Sequence, residues 1–265
     1  MILQPGLDNE QVEGFFERLA AARFSALLLD YDGTLAPFRQ EPAEAVPYPA
    51  VPPLLAKLTA ASTSRLVLVS GRRAKDLPPL LGLHRHPEIW GSHGKERLFS
   101  DGRYELVEIS PVSQQALDKA RRRAAAAGLQ DWLEEKPGCL AVHFRGRDPK
   151  RVRSVEGDLV TWWSAAAEEG GLSLHSIDGG YALRTRDRDK GDAVVAVLRE
   201  MQEGALAAYL GDDLTDEDAF EKIPEGGLPV LVRSEQRPTA ARAWLRPPDE
   251  LVDFLKKWIE VTCRP

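Results

Sequence analysis

Apolar residues along this chain come in two rhythms. Between Gly6 and Arg23, Val12, Phe15, Phe16 and Leu19 recur at helical spacing among acids and polar residues, which predicts an amphipathic opening helix. From Ser25 to Asp30 the apolar run is unbroken and ends in polar loop residues, as in a strand covered on both faces of a sheet. The segment from Glu41 to Pro53 carries five prolines and reads as an extended loop. Leu54 to Ala61 then reads as helix, Arg65 to Val69 as a second buried strand, Ala74 to Leu81 as helix and Glu88 to Trp90 as a third strand.

From about Arg97 the rhythm changes. Short or alternating strands at Tyr104 to Ile109, Trp132 to Glu135 and Leu140 to Arg145 interleave with helices at Ser113 to Ala127 and Pro149 to Glu168. Leu172 to Ile177 and Tyr181 to Thr185, separated by Asp178-Gly179-Gly180, predict a hairpin. Buried strands and helices then alternate again: helix Asp192 to Gln202, strand Ala207 to Leu210, helix Glu217 to Ile223, strand Pro229 to Val232 and helix Asp249 to Val261. The fold class expected is α/β, a doubly wound, mostly parallel sheet formed by residues 1–98 and 187–265, interrupted by an α+β cap domain over 99–186.

Composition narrows the function. With 265 residues, 43% of them hydrophobic and 29% charged, the chain is long enough for one large core plus a second module. A net charge of -6 argues against a general nucleic-acid binder, because neutralising a phosphate backbone needs clustered Lys and Arg. The triplet Arg121-Arg122-Arg123 reads as a solvated helix face. Two cysteines, Cys139 and Cys263, support neither a disulfide framework nor a four-ligand zinc site. The apolar runs fall far short of the ~20 residues of a membrane span, and the opening helix does not look like a signal peptide. A soluble, cytoplasmic monomer acting on a small molecule, with neither membrane nor nucleic acid as partner, is expected.

The chemistry gathers where predicted strands end. Asp30-Tyr31-Asp32-Gly33-Thr34 follows the first strand, so both carboxylates would emerge at the carboxyl edge of the sheet, where open α/β folds place ligands. Two residues apart, they would point the same way, one serving as nucleophile or metal ligand and the other as proton donor. Ser70-Gly71-Arg72 follows the second strand and offers a hydroxyl and turn N–H groups to phosphate oxygens. Lys190-Gly191-Asp192 opens a helix, with an ammonium able to neutralise a carboxylate nucleophile and a transferring phosphate. Gly211-Asp212-Asp213, with Asp216 and Glu217 behind it, is a group of acids suited to Mg²⁺. Each stretch alone also reads as an ordinary turn or helix cap.

Together the four stretches resemble the haloacid-dehalogenase superfamily of aspartyl-phosphate enzymes, over nearly the whole chain. The resemblance implies a Rossmann-like core in which Asp30 attacks phosphorus and Asp32 protonates the leaving alcohol and then activates water. Ser70 and Lys190 would hold phosphate. Mg²⁺ would be bound by Asp30, Asp212 and the main-chain carbonyl of Asp32, with Asp213 and Asp216 in support. A dehalogenase is disfavoured by the presence of Asp32, and an ion pump by the lack of membrane helices.

Within the superfamily the chain is similar to the trehalose-6-phosphate phosphatases. Gly91-Ser92-His93-Gly94 matches their Gly-x-His-Gly signature, and Glu134-Glu135-Lys136 with His143-Phe144-Arg145 matches their Glu-x-Lys and His-x-Arg. The likeness implies substrate contacts from Gly71, Arg72, His93 and Gly94 in the core and from Glu134, Lys136 and Arg145 in the cap. It also implies a sugar phosphate, trehalose 6-phosphate first, made upstream by a trehalose-6-phosphate synthase. One position departs from the pattern: where that family commonly has Glu before the Arg ahead of the Lys motif, Tyr181-Ala182-Leu183-Arg184 has Ala182. The departure keeps other glycosyl phosphates, or a non-catalytic sugar-phosphate sensor, as alternatives.

Overall fold

The computed structural model describes residues 9–39, 41–61, 63–177 and 179–263; the start of the opening helix at Gly6 and the hairpin residue Asp178 lie outside them. Helix α1 (Asn9–Ala21) leads into β1 (Ser25–Leu29), α2 (Val51–Ala61), β2 (Ser64–Val69), α3 (Leu77–Leu81) and β3 (Glu88–Gly91). Two short strands follow, β4 (Glu96–Leu98) and β5 (Tyr104–Leu106). Next come α4 (Pro111–Ala126), β6 (Leu133–Lys136), β7 (Cys139–His143), α5 (Pro149–Gly170), β8 (Leu172–Ile177) and β9 (Gly180–Thr185). The chain closes with α6 (Lys190–Arg199), β10 (Leu206–Gly211), α7 (Glu217–Lys222), β11 (Leu228–Val232), β12 (Ala243–Leu245) and α8 (Asp249–Thr262).

The larger unit, residues 1–105 and 189–265, is built on an eight-stranded sheet in the order β12-β11-β10-β1-β2-β3-β4-β5. Every pairing from β12 to β3 is parallel, and β3 with β4 is antiparallel. The chain winds outward from β1 through β2 to β3, then returns to the other side of β1 for β10, so the strand order reverses between β1 and β10. That reversal opens a crevice at the carboxyl ends of these two strands, where α/β sheets bind ligands.

β1 shows why the unbroken run folds as it does. Leu27 and Leu29 enter one core with Phe15, Phe16, Leu55, Leu251 and Trp258, while Ala26 and Leu28 enter a second with Val194, Val197 and Phe220. A strand sandwiched this way needs apolar residues at every position. Each of the three leucines contributes about 1.5–3 kcal/mol through burial.

Several boundaries differ from the sequence expectation for identifiable reasons. α2 begins at Val51, three residues before Leu54, because Pro52 and Pro53 occupy its first turn, where N–H groups have no intrahelical partner anyway. The Ala74 to Leu81 segment is a 3-10 turn (Ala74–Asp76) running into α3. Strand β5 extends the large sheet past residue 98, and the smaller unit spans Leu106–Arg188.

The smaller unit is a four-stranded antiparallel sheet, order β6-β7-β9-β8, with α4 and α5. Leu140, Val142, Leu183 and Leu172 pack against the helices, around Ala120, Leu159 and the fully buried Trp163. Its neighbour Trp162 is only partly buried, beneath the Arg123 guanidinium at 4.6 Å. By alternation, the opposite face carries Glu134, Lys136, Cys139, Ala141, His143, Ala182 and Arg184. Among the described residues, no helix is long and apolar enough to cross a membrane.

Candidate active site

Asp30 is the first residue beyond β1, and its N–H donates to the Leu210 carbonyl at 2.8 Å, holding it at the mouth of the crevice. Asp212 follows the last residue of β10 on the other side. Gly33 and Gly211 permit the close packing there: a Cβ on Gly33, which has φ +80°, would meet Asp212 Oδ2 at 2.2 Å, and one on Gly211 would meet Asp216 Cγ at 2.3 Å. Lys190, the first residue of α6, places Nζ 2.7 Å from Asp30 Oδ1 and 2.8 Å from Asp216 Oδ1. The carboxylates of Asp30, Asp212 and Asp216 each bring an oxygen within 4.8 Å of the others. Asp30 and Lys190 are 3% exposed, Asp212 2% and Asp216 0%.

So many buried charges set the electrostatics. Burial, together with the charges of Asp216 and Asp32, pushes the Asp30 carboxyl upward against the pull of Lys190. Burial and the neighbouring Asp30 and Asp216 charges raise Asp212 as well. For Lys190, burial alone would lower the pKa, but Asp216 and Asp30 hold it above the ordinary lysine range, so it is charged. Three carboxylates thus face one ammonium.

Asp216 has its hydrogen bonds filled: Lys190 Nζ, the Tyr209 hydroxyl at 2.6 Å, and the N–H groups of Asp212 and Asp213 at 3.1 and 2.9 Å. Asp212 differs, since its Oδ1 is buried with no hydrogen-bond partner among the described residues. A buried carboxylate oxygen left this way is costly. An oxygen-only donor set with an unpaired oxygen and uncompensated negative charge fits a hard divalent cation. Asp213 is exposed and does not join this acidic group; its carboxylate accepts from the Asp216 N–H in a reciprocal cap.

Asp32 faces Arg72, whose Nε and Nη2 each donate to its carboxylate at 2.7 Å. Ser70 is buried, and its Oγ accepts from the Arg72 N–H at 3.1 Å. The space beside Gly71 is taken by the His93 ring. Ser92 and His93 have φ of 48° and 55°, two successive non-glycine residues in the left-handed region. This conformation lets Ser92 N–H reach the Arg72 carbonyl at 2.6 Å and His93 N–H reach the Ser70 carbonyl at 3.0 Å. Gly94 then passes close to the Asp189 carbonyl. The Gly91 to Gly94 turn therefore braces the Ser70 loop from behind.

In the smaller unit Glu134 lies 3.1 Å from Lys136 Nζ and is hydrogen-bonded to His143 Nε2 at 2.9 Å. Burial would raise the Glu134 carboxyl, but the His143 hydrogen bond and the Lys136 charge outweigh it and hold it at about 2. Register places Glu134, Ala141, Ala182 and His175 in one cross-strand row. The small, buried Ala141 and Ala182 floor that row between Glu134 and His175. Arg145 lies past the end of β7, exposed, with its stem along Gly179.

The sequence model of the family described as Trehalose-phosphatase matches residues 28–248. The chain belongs to the trehalose-phosphatase family. The trehalose-phosphate phosphatase of Mycobacterium marinum is 31% identical, over 86% of this chain and 60% of that protein. That of Mycobacterium tuberculosis H37Rv is 32% identical, over 93% of this chain and 64% of that protein. The chain thus spans about three fifths of the length of these relatives. The trehalose-6-phosphate phosphatase C-terminal domain of C. albicans has the same fold, with a TM-score of 0.74 at 21% identity, covering 98% of both chains. A phosphatase of the HAD superfamily from Bacteroides thetaiotaomicron aligns with a TM-score of 0.59 at 18% identity, over 90% of this chain and 96% of that one. The core is accordingly a HAD-type α/β fold.

Two site residues of this family member escape a reading of its motifs. Tyr209, inside β10, donates to Asp216 across the sheet edge. Arg237 donates from Nη2 to the Asp213 carbonyl at 2.7 Å and from Nη1 to Glu217, tying the acidic loop in place. A Tyr two positions before Gly211 on an otherwise apolar strand was the available signal for the first; Arg237, in a long loop, offered none.

Proposed function

We propose that this chain is a divalent-metal-dependent sugar-phosphate phosphatase working through an aspartyl phosphate on Asp30, with trehalose 6-phosphate as the first substrate to test. The observation that carries the reading is Lys190 Nζ held between Asp30 and Asp216 beside Asp212. Asp30 and Asp212 are the residues that would hold Mg²⁺, which when bound would offset the negative charge of carboxylate and phosphate as they approach.

The residues divide the remaining work. Asp30 attacks phosphorus as the bond to the leaving oxygen breaks, and Asp32 gives that oxygen a proton. Water then attacks the phosphorus, Asp32 takes its proton, and the Asp30 carboxylate is released with inorganic phosphate. Lys190 and Ser70 hold the phosphoryl oxygens throughout. Asp216, with all its hydrogen bonds filled, fixes Lys190 and the acidic loop. Glu134 and Lys136, prealigned by their own ion pair, bind sugar hydroxyls through charge-assisted hydrogen bonds, with Arg145 contributing from the end of its strand.

Ala182 supports a second substrate reading. The family pattern's carboxylate is replaced by a methyl in the floor of the Glu134 row, which suits a glycosyl phosphate other than that of trehalose. Phosphate release from trehalose 6-phosphate, sucrose 6-phosphate and a glycosylglycerate phosphate, with EDTA and Mg²⁺ arms, tests both. Mg²⁺-dependent release from trehalose 6-phosphate at the highest kcat/KM is expected. Brisk turnover of another ester alone would move the assignment to that sugar, and no turnover of any would refute the phosphatase reading.

A further inference from the structure

The guanidinium of Arg72 is committed within the core. Nε donates to Asp32 Oδ2 and Nη2 to Asp32 Oδ1, each at 2.7 Å, and Nη1 donates to the Pro42 carbonyl at 2.8 Å. Its Cζ lies 5.5 Å from the centroid of the Tyr31 ring, and Tyr31 is itself buried, with its hydroxyl donating to the Ala45 carbonyl at 2.7 Å. The backbone from which the side chain starts is held as well, by the Ser70 hydroxyl on its N–H and the Ser92 N–H on its carbonyl. Of the pair, Arg72 is the more deeply set, at 15% side-chain exposure against 28% for Asp32.

A two-armed guanidinium fixes both the position and the plane of the carboxylate it grips. A phosphate-binding role for the same guanidinium would require it to give up three internal hydrogen bonds.

We propose that Arg72 is a positioning residue that holds Asp32 for the hydrolysis of the aspartyl phosphate. This rests on the phosphatase reading above. In that step water oxygen bonds to phosphorus, the phosphorus–oxygen bond to Asp30 breaks with its electron pair returning to the Asp30 carboxylate, and the water proton passes to Asp32. Arg72 sets the plane of the accepting oxygen.

Dinitrophenyl phosphate separates the two half-reactions, because its leaving phenolate needs no proton. With Mg²⁺ present, Arg72→Gln should release the first equivalent of dinitrophenolate at close to the wild-type rate. Its steady state should fall by about 10–100-fold, the positioning share of general-base catalysis. Phosphoenzyme should accumulate, seen in the intact mass as one added phosphoryl group. Arg72→Lys, which keeps the charge and loses the fork, should behave like the Gln variant. Asp32→Asn serves as the reference: it should trap the adduct fully, and if no adduct forms there, the phosphatase reading itself fails. If Asp32→Asn traps the adduct while Arg72→Gln slows the burst and the steady state equally, or weakens inhibition by inorganic phosphate, Arg72 binds the phosphoryl group and the positioning role is overturned. Wild-type behaviour of Arg72→Lys would also overturn it.

Discussion

Lys190 carries a positive charge at the first residue of α6, the end at which the helix dipole is itself positive. Burial adds a second penalty, so its place depends on the carboxylates of Asp30 and Asp216. Lys190→Met should therefore cost about 3–5 kcal/mol, the usual result of stripping one partner from a buried ionic group. Denaturant midpoints in EDTA measure this, and an unchanged midpoint would mean the acids find other compensation. Asp30→Asn acts in the opposite sense on stability, since it removes one of three crowded carboxylates. It should abolish measurable turnover while leaving the melting temperature at or above that of wild type. Glu134 works on the remote part of the substrate in the proposed scheme, so Glu134→Ala should raise KM for the preferred sugar phosphate about tenfold and spare a small phosphate ester. Equal damage to both esters would remove Glu134 from specificity.

Among the elements, α5 shows how neighbouring identical residues are sorted. Trp163 is wholly buried against the insert sheet, whereas Trp162 lies on the helix flank under Arg123. Trp163→Ala should destabilise the smaller unit by about 3–5 kcal/mol, the range for emptying a large aromatic site in a core. Trp162→Ala should cost far less, and a thermal melt followed by tryptophan fluorescence can rank the two. Strand positions, helix α5 and the hairpin were readable because periodicity and turn residues are local signals. β4 and β12 were not: each spans three residues, and only pairing with a neighbour makes it a strand. The early start of α2 was hidden by a proline pair that forbids a helix interior yet suits a helix start.

For the whole molecule, the buried acids couple folding to pH. The carboxyls of Asp30 and Asp212 are raised on folding, so above their ordinary value of 3.8 the folded chain holds protons that the unfolded chain has lost. The stability they contribute is complete below that value and drains away as pH rises, through about 9 for Asp212. In EDTA, wild-type stability should decline between about pH 5 and about pH 9 more steeply than that of Asp212→Asn, and Mg²⁺ should restore the alkaline end. Parallel pH profiles for the two proteins would show that Asp212 is not the group responsible.

The sequence by itself determined which short stretches end a buried strand or open a helix with polar side chains. Asp30, Ser70 and Asp212 each follow a buried apolar run and Lys190 opens a helix, and both features are written in neighbouring residues. Distances were beyond its reach. That Lys190 bridges Asp30 and Asp216, 160 and 26 residues away, that Arg72 grips Asp32, and that Tyr209 and Arg237 complete the acidic loop follow only from the parallel order of strands around β1. Partners far apart in the chain are chosen by packing the whole sheet, and no local pattern encodes that choice.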